Sequence, residues 1–473
     1  MNSNGFHLRK MGGAERVGAF LVSGLFLGVL PIELFLGTRV PFPFILYTIL
    51  AFCVVVLLRW DRLQSTWLAL VGRGSKREAT FLALMGAMIF WFGLQAFVSP
   101  CPQYAQRKYV LWALHTILPL IVGYLWIDKP ETVGGILRAG MIWIALVPIF
   151  WLANPDAIAQ LDARHIILRS EFSELTSCSF CRAVSLAAMA GVVSVGIRVF
   201  TGLAVLVPIG LIPVLLYLTL QSGSRGAVLS FAVAASVFVV LSANRRRLLL
   251  LAILAPVVGG MLFNYVATTN SVTGIVDSGL LDGDVRDGSV LEHFAAWRLS
   301  IATAVKRPLG IGFGGFPHLA GHQDEPLYPH NAVLEVWVEN GLIGLGLYLC
   351  LIALPFAFLG RRQFADGRII ALGSLFLVTF LFAMTYLGVE GNNPYGLFLG
   401  GLWALSAQVR AGPLSTGVRN ITTFPLPFET DRFAGEPVSV VPAEGSRPSD
   451  GCRIIPARSS GHADHSPADP VLP

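Results

Sequence analysis

The sequence predicts an all-α fold, a polytopic bundle of about twelve membrane spans with a long external loop that contains an amphipathic helix. Three observations predict it. Of the 473 residues, 54% are hydrophobic and only 13% charged, whereas soluble domains carry about a quarter charged residues. Mean hydropathy is +0.67, and apolar runs near the roughly twenty-residue length of a spanning helix recur along the chain. Lysine and arginine, finally, cluster in alternate connections between those runs, as a positive-inside distribution requires.

The runs lie at 17–37, 41–58, 79–98, 109–127, 139–153, 183–197, 202–220, 227–243, 248–266, 341–359, 369–388 and 395–407. Arg9, Lys10 and Arg16 precede the first, and Arg59, Arg62, Arg73, Lys76 and Arg77 fall between the second and third. Arg245, Arg246 and Arg247 follow the eighth; Arg361, Arg362 and Arg368 follow the tenth. An N-terminus inside puts all four clusters on the cytoplasmic side. The connections 154–182, 221–226 and 267–340 are then external. The first run is followed at once by another and lacks an Ala-x-Ala exit, so it reads as a retained span rather than a cleaved signal.

The chain thus divides into N-terminal spans over 1–182, a second membrane region over 183–410 that includes the loop 267–340, and a tail over 411–473. The tail contains EGSRPSDG and SSGHADHSPADP, a composition with too little apolar surface to fold, and is expected to be disordered and cytoplasmic. The formal net charge of +6 is what positive-inside loops produce and gives no reason to invoke nucleic acid. Of six cysteines only Cys178 and Cys181 are closely spaced, and their external position permits a disulfide or two thiols more readily than a metal site.

Candidate chemistry falls on the external connections. Gln221-Ser222-Gly223-Ser224-Arg225-Gly226 joins the seventh and eighth runs. A guanidinium at the interface is costly without a partner, and its planar fork suits phosphate oxygens, so Arg225 is a candidate ligand for the diphosphate of a lipid carrier; the alternative is an arginine snorkelling at a helix end. In the long loop, HFAAWRLSIATAVKRPLGIGFGGF places Trp297, Ile301 and Ala304 or Val305 on one helical face, and Pro308-Leu309-Gly310 ends the helix. Arg298, Lys306 and Arg307 supply positive charge there. GIGFGG matches a dinucleotide fingerprint in spelling only, because it follows a helix rather than a strand; its glycines suit tight turns or close backbone approach. Asp282, Asp284 and Asp287 miss the calcium-loop spacing, with His293 where a glutamate would stand.

Beyond them, YPHNAVLEVWVENGLIGLGLY carries His330 and Asn331 at the end of the loop and Gly341 and Gly344 in the next run. Histidine is the side chain able to exchange a proton near neutrality, so His330 is a candidate general base. Leu334, Trp337 and Val338 form an apolar face flanked by Glu335 and Glu339, and a carboxylate beside the imidazole would orient it. The bland alternative is a helix-capping histidine with solvated glutamates.

The four positions of His330, Asn331, Gly341 and Gly344, with Ser-x-Ser-Arg-Gly at 222–226 and Trp297…Pro308-Leu309-Gly-x-Gly, resemble the O-antigen ligase family of bacterial membrane glycosyltransferases. The resemblance covers roughly 183–359. It implies a glycan donor linked to undecaprenyl diphosphate and presented at the periplasmic face of the inner membrane, with His330 deprotonating the acceptor hydroxyl. Arg225 and Arg298 would neutralise the departing diphosphate, and Asn331 and Glu335 would lie against the substrates. Family members often carry an arginine where this chain has His293, which is therefore a candidate substrate-binding residue in an altered role. A diphosphate held by arginines needs no metal, the sequence offers no convincing carboxylate cluster for one, and no cofactor is expected. An acceptor of lipid A–core would make the protein an O-antigen ligase, and a growing polysaccharide or second lipid-linked repeat would make it a polymerase. A transporter or lipid flippase is the reading from another class; against it, the runs hold little ionisable besides Glu33 and His115.

Overall fold

The computed structural model describes residues 12–28, 32, 43–70, 75–153, 168–169, 174–175, 177–221, 225–242, 288–322, 324, 327–360, 363–385 and 393–407. These residues are helical apart from their connections and one antiparallel pair of two-residue strands, Leu168–Arg169 and Glu174–Leu175. The helices are α1 Gly13–Leu27, α2 Pro43–Leu58, α3 Trp60–Leu70, α4 Lys76–Phe97, α5 Pro102–Trp126, α6 Pro130–Ala153 and α7 Ser177–Gly196. They continue with α8 Leu206–Gln221, α9 Arg225–Leu241, α10 Gly288–Lys306, the single turn α11 Phe316–Leu319, α12 Ala332–Phe358, α13 Gly367–Ala383 and α14 Asn393–Ala407. The all-α expectation holds.

Three of them, Lys76–Phe97, Pro102–Trp126 and Ala332–Phe358, are long and apolar enough to cross a membrane. Phe44–Leu58 and Trp60–Ala69 pass the same test together across an 81° bend. Cys181–Gly196, Gly202–Leu216, Gly226–Leu241 and Gly367–Ala383 are apolar but shorter. Several apolar helices are therefore present, whereas the expected run 248–266, the first part of the loop and the tail lie outside the described residues.

One helix near the site starts well before the point where hydropathy places it. α5 begins at Pro102, with proline at the first helical position where its missing N–H costs nothing, and so takes in Arg107 and Lys108. Mid-way it passes through a π turn, Ala113–Ile117, which carries His115. α14 lies against the second half of α5 with backbones in contact. A Cβ on Gly396 would come within 2.2 Å of the Thr116 carbonyl oxygen, and one on Gly400 within 2.0 Å of that of Leu120. Small residues four apart are what permit such an approach between apolar helices. The core of the bundle is aromatic here, with Phe81 stacked on Tyr124 at 4.4 Å and Trp403 beside them at 5.3 Å.

Candidate functional site

α12 starts at the His-Asn step. The Asn331 side chain caps the helix by accepting from the Leu334 amide at 3.1 Å, satisfying an N–H that the first turn leaves without a partner. His330 immediately before it has φ of 52°, a left-handed conformation costly for a residue with a Cβ and sustained only where the surroundings enforce it. Those surroundings are visible. The Trp297 indole N–H of α10 donates to the Pro329 carbonyl at 2.9 Å. One turn earlier on α10, His293 meets the His330 ring edge to face at 4.4 Å, and Tyr328 meets it at 4.7 Å. His330 is half-buried between them. The backbone is pinned on one side, the ring packs against two others, and the residue stays partly exposed.

The glycine-rich passage after α10 packs as close-approach backbone. Gly310, Gly312 and Gly314 have φ of 88°, 101° and 71°, a region closed to most L residues. The amides of Ile311 and Gly312 donate at 3.0 Å to the carbonyls of Val338 and Glu339, while the Leu342 amide donates to Pro308 at 2.8 Å. On the other side, Phe313 donates to the Gln95 carbonyl at 3.0 Å, and Gln95 returns a bond to the Leu309 carbonyl at 3.1 Å. The passage is thus wedged between α4 and α12. The wedge breaks α12: Gly341 has φ 65° and ψ −167° inside the helix, and a Cβ there would stand 2.3 Å from the Pro308 oxygen. Beyond the break, Gly344 faces Asn340, whose Cβ would be 2.3 Å from a side chain at that position. Both glycines of the motif accordingly have a steric reason.

Beneath the turn, Glu335 and Glu339 are fully buried, so the alternative of solvated glutamates does not hold. Their partner is Lys108 of α5, itself fully buried. Its ammonium donates at 2.8 Å to both oxygens of Glu339 and pairs with Glu335 at 2.5 Å. The rings of Phe313 and Tyr104 lie 5.0 and 5.7 Å from the ammonium. A charge taken into an apolar interior is tolerated only when paired in this way. Hydropathy reading missed Lys108. The available signal was Glu335 and Glu339 four residues apart on the face that carries Val338, a spacing that requires a cation wherever that face is buried.

The remaining expected residues fall as follows. Arg298 is exposed on α10, as are Lys306 and Arg307. The buried face of that helix is Ala296, Ser300 and Ala304, whereas Ile301 and Val305 are exposed at 44% and 68%; in a chain with lipid on one side an apolar stripe need not face protein. Arg225 is the first residue of α9, and its side chain lies outside the described residues, as do the Cys178 side chain and Asp282, Asp284 and Asp287. The structure therefore brings His293, His330, Asn331, Trp297 and Tyr328 together, with Glu335 one turn below.

Residues 210–349 match the family model described as O-antigen ligase. Over 152 residues the chain is 24% identical to proteins described as candidate polysaccharide ligases of Rickettsia typhi and Rickettsia prowazekii, and over 150 residues 25% identical to one of Rickettsia felis. Each match covers 29% of this chain and 36% of the relative, so the likeness spans about a third of those proteins' length. The family-model match takes in Arg225, α10, the glycine wedge and the head of α12, and leaves Lys108 outside. Over that segment the likeness to the O-antigen ligase family is shown.

Proposed function

Starting from the likeness of residues 210–349 to the O-antigen ligase family, we propose that the protein is a membrane glycosyltransferase that moves a glycan from undecaprenyl diphosphate to lipid A–core at the periplasmic face of the bacterial inner membrane. The observation that carries the reading is the His330 turn, an imidazole packed between His293 and Tyr328 on a backbone tied to Trp297. In this reaction the acceptor hydroxyl oxygen attacks the anomeric carbon, its proton passes to His330, and the bond from that carbon to the diphosphate oxygen breaks. A positioned base contributes roughly 10²–10⁴-fold to such a step. Asn331 and Glu335 support the turn, His293 shares the substrate face, and Arg225 with Arg298 neutralises the charge that develops on the departing diphosphate. Direct displacement inverts the anomeric centre, and arginines holding the diphosphate make a metal unnecessary.

The reading carries a topology of about twelve spans with the N-terminus and tail inside. Ala320→Cys should react with an impermeant thiol reagent in intact cells and Val440→Cys should not; the reverse pattern removes the periplasmic site. The acceptor is decided by glycan analysis of a deletion strain. Free core together with polymer retained on the carrier lipid supports the ligase, a core bearing one repeat unit assigns a polymerase instead, and unchanged surface glycan defeats both.

A further inference from the structure

Lys108 belongs to α5, in the half of the chain that the family likeness does not reach. Burying an ammonium and two carboxylates costs several kcal/mol per ion before pairing returns it, and apolar side chains of the same volume often serve stability as well or better. What ions add is a fixed geometry. The Glu335 amide donates to the Asn331 carbonyl at 2.8 Å, so Glu335 belongs to the same helical turn that Asn331 caps. Glu339 stands two residues before the break at Gly341, and its Oε1 receives the Phe316 amide at 3.5 Å. The head of α5 holds the loop a second time, through the Tyr104 amide donating to Asp324 Oδ1 at 2.9 Å.

We propose that Lys108 is the positioning residue of the His330 site: by clamping Glu335 and Glu339 it sets the first two turns of α12, and with them the His330-Asn331 turn, against α5. The role rests on the reading of His330 as the base. Without the ammonium the two carboxylates repel one another across one helical turn, and the segment 332–340, bounded by the left-handed turn at His330 and the break at Gly341, is short enough to shift as a unit. His330 would then leave its place between His293 and Tyr328.

The test uses the full chain in liposomes with carrier-linked glycan and lipid A–core extracted from the producing cells. Wild type is compared with Lys108→Met, Lys108→Arg, Glu335→Gln and His330→Ala. Lys108→Met should lower kcat about 10²-fold, the loss that follows misplacing a reacting group by about 1 Å, with the donor KM held within about threefold. Lys108→Arg should recover at least about tenfold of that loss, since a guanidinium reaches both carboxylates. A role in packing alone predicts the opposite order, because methionine fills the slot and arginine overfills it. Wild-type turnover in Lys108→Met, turnover in Lys108→Met above that in Lys108→Arg, or a loss carried by KM overturns the proposal. If Lys108→Met does not reach the membrane, Glu335→Gln decides, and kcat within about twofold of wild type removes the clamp. Transfer that survives in His330→Ala breaks the reading of the base and the clamp with it; transfer lost there but intact in Lys108→Arg, Lys108→Met and Glu335→Gln breaks the clamp alone.

Discussion

The two ends of α4, α5 and α12 place charge in an apolar bundle by opposite means. At the His330 end, Lys108, Glu335 and Glu339 are sealed from solvent and satisfy one another at 2.5 to 2.8 Å. At the far end, Arg77 donates to the carbonyls of Phe358 and Ser406, where α12 and α14 finish, a natural place for a cation beside the unpaired C-terminal carbonyls. Arg59 and Arg62 there approach Asp128 only to 3.7 and 3.8 Å, too far for hydrogen bonds, and keep side-chain exposures of 24% and 15%. Instead they lie over the faces of Trp126 and Tyr124 at 4.7 and 5.0 Å. A sealed trio is stable only when complete. A half-buried cluster of long ion pairs with stacked arginines depends less on any one partner. The short, sealed contacts lie beside the His330 turn, and the long ones lie at the far end.

The largest contrast is in activity. His330→Ala should abolish transfer, by roughly 10²–10⁴-fold, while the protein still reaches the membrane, because the wedge is tied by backbone hydrogen bonds of 308–313 to Gln95, Val338, Glu339 and Leu342. Wild-type turnover should also fall as pH drops through the titration of the imidazole, since its protonated form cannot accept the acceptor's proton. The sign is fixed by the role: activity is present above that titration and lost below it. Near-normal turnover in both His330→Ala and His330→Gln at saturating acceptor would leave His330 a structural residue of the turn.

Next in size is Gly341→Ala. Its φ of 65° and the 2.3 Å approach to Pro308 act together, one a conformational cost and the other a collision with backbone that cannot rotate away. The expected destabilisation is at least about 3 kcal/mol, read as loss of folded protein in detergent on heating. Gly346, where a Cβ would meet nothing within 4 Å, is the matched control: Gly346→Ala should be neutral or slightly stabilising. Equal effects at the two positions would mean that the wedge does not hold the break.

This pair shows what the sequence discloses and what it hides. The spacing of His330, Asn331, Gly341 and Gly344 is local, and so is the proline-glycine stop after α10; each is set by a backbone conformation that residue type reports directly. The breadth of the helical architecture is legible for the same reason, through hydropathy. Lys108 is not, because its carboxylate partner Glu339 is 231 residues away and a hydropathy window ends a span at charges whether or not they are paired. The face of α10 that carries Ile301 and Val305 is legible as apolar but no further, because periodicity alone does not say whether protein or lipid lies opposite. Gly341, taken as the first residue of a span, is instead a break within a helix, imposed by a loop that arrives from thirty or so residues earlier.

A smaller effect separates the cap from the proposed base it neighbours. Asn331→Ala removes the bond to the Leu334 amide and should cost about 1 kcal/mol of stability, seen as a small drop in thermal midpoint. Asn331→Asp should retain that stability, since a carboxylate accepts the same bond and suits a helix N-terminus. A stable Asn331→Asp protein with transfer greatly reduced would place the carboxamide in substrate contact rather than in capping alone.

The smallest expected effect lies at the far end. Asp128→Asn removes the anion between Arg59 and Arg62 without changing the shape of the side chain. The two ion pairs it breaks are long and half-buried, so their loss should cost on the order of 1 kcal/mol. Stacking of both guanidinium groups on Trp126 and Tyr124 does not depend on the carboxylate and keeps the arginines in place. Asp128 also stands just ahead of α6, which begins at Pro130, where a negative charge is mildly favourable and its removal costs a few tenths of a kcal/mol. Transfer should therefore stay within about twofold of wild type, and raising the salt concentration should shrink the stability difference further. If Asp128→Asn instead lowers stability as much as Lys108→Met does, the far end is a sealed charge site too, and the contrast between a precise end and a tolerant end fails.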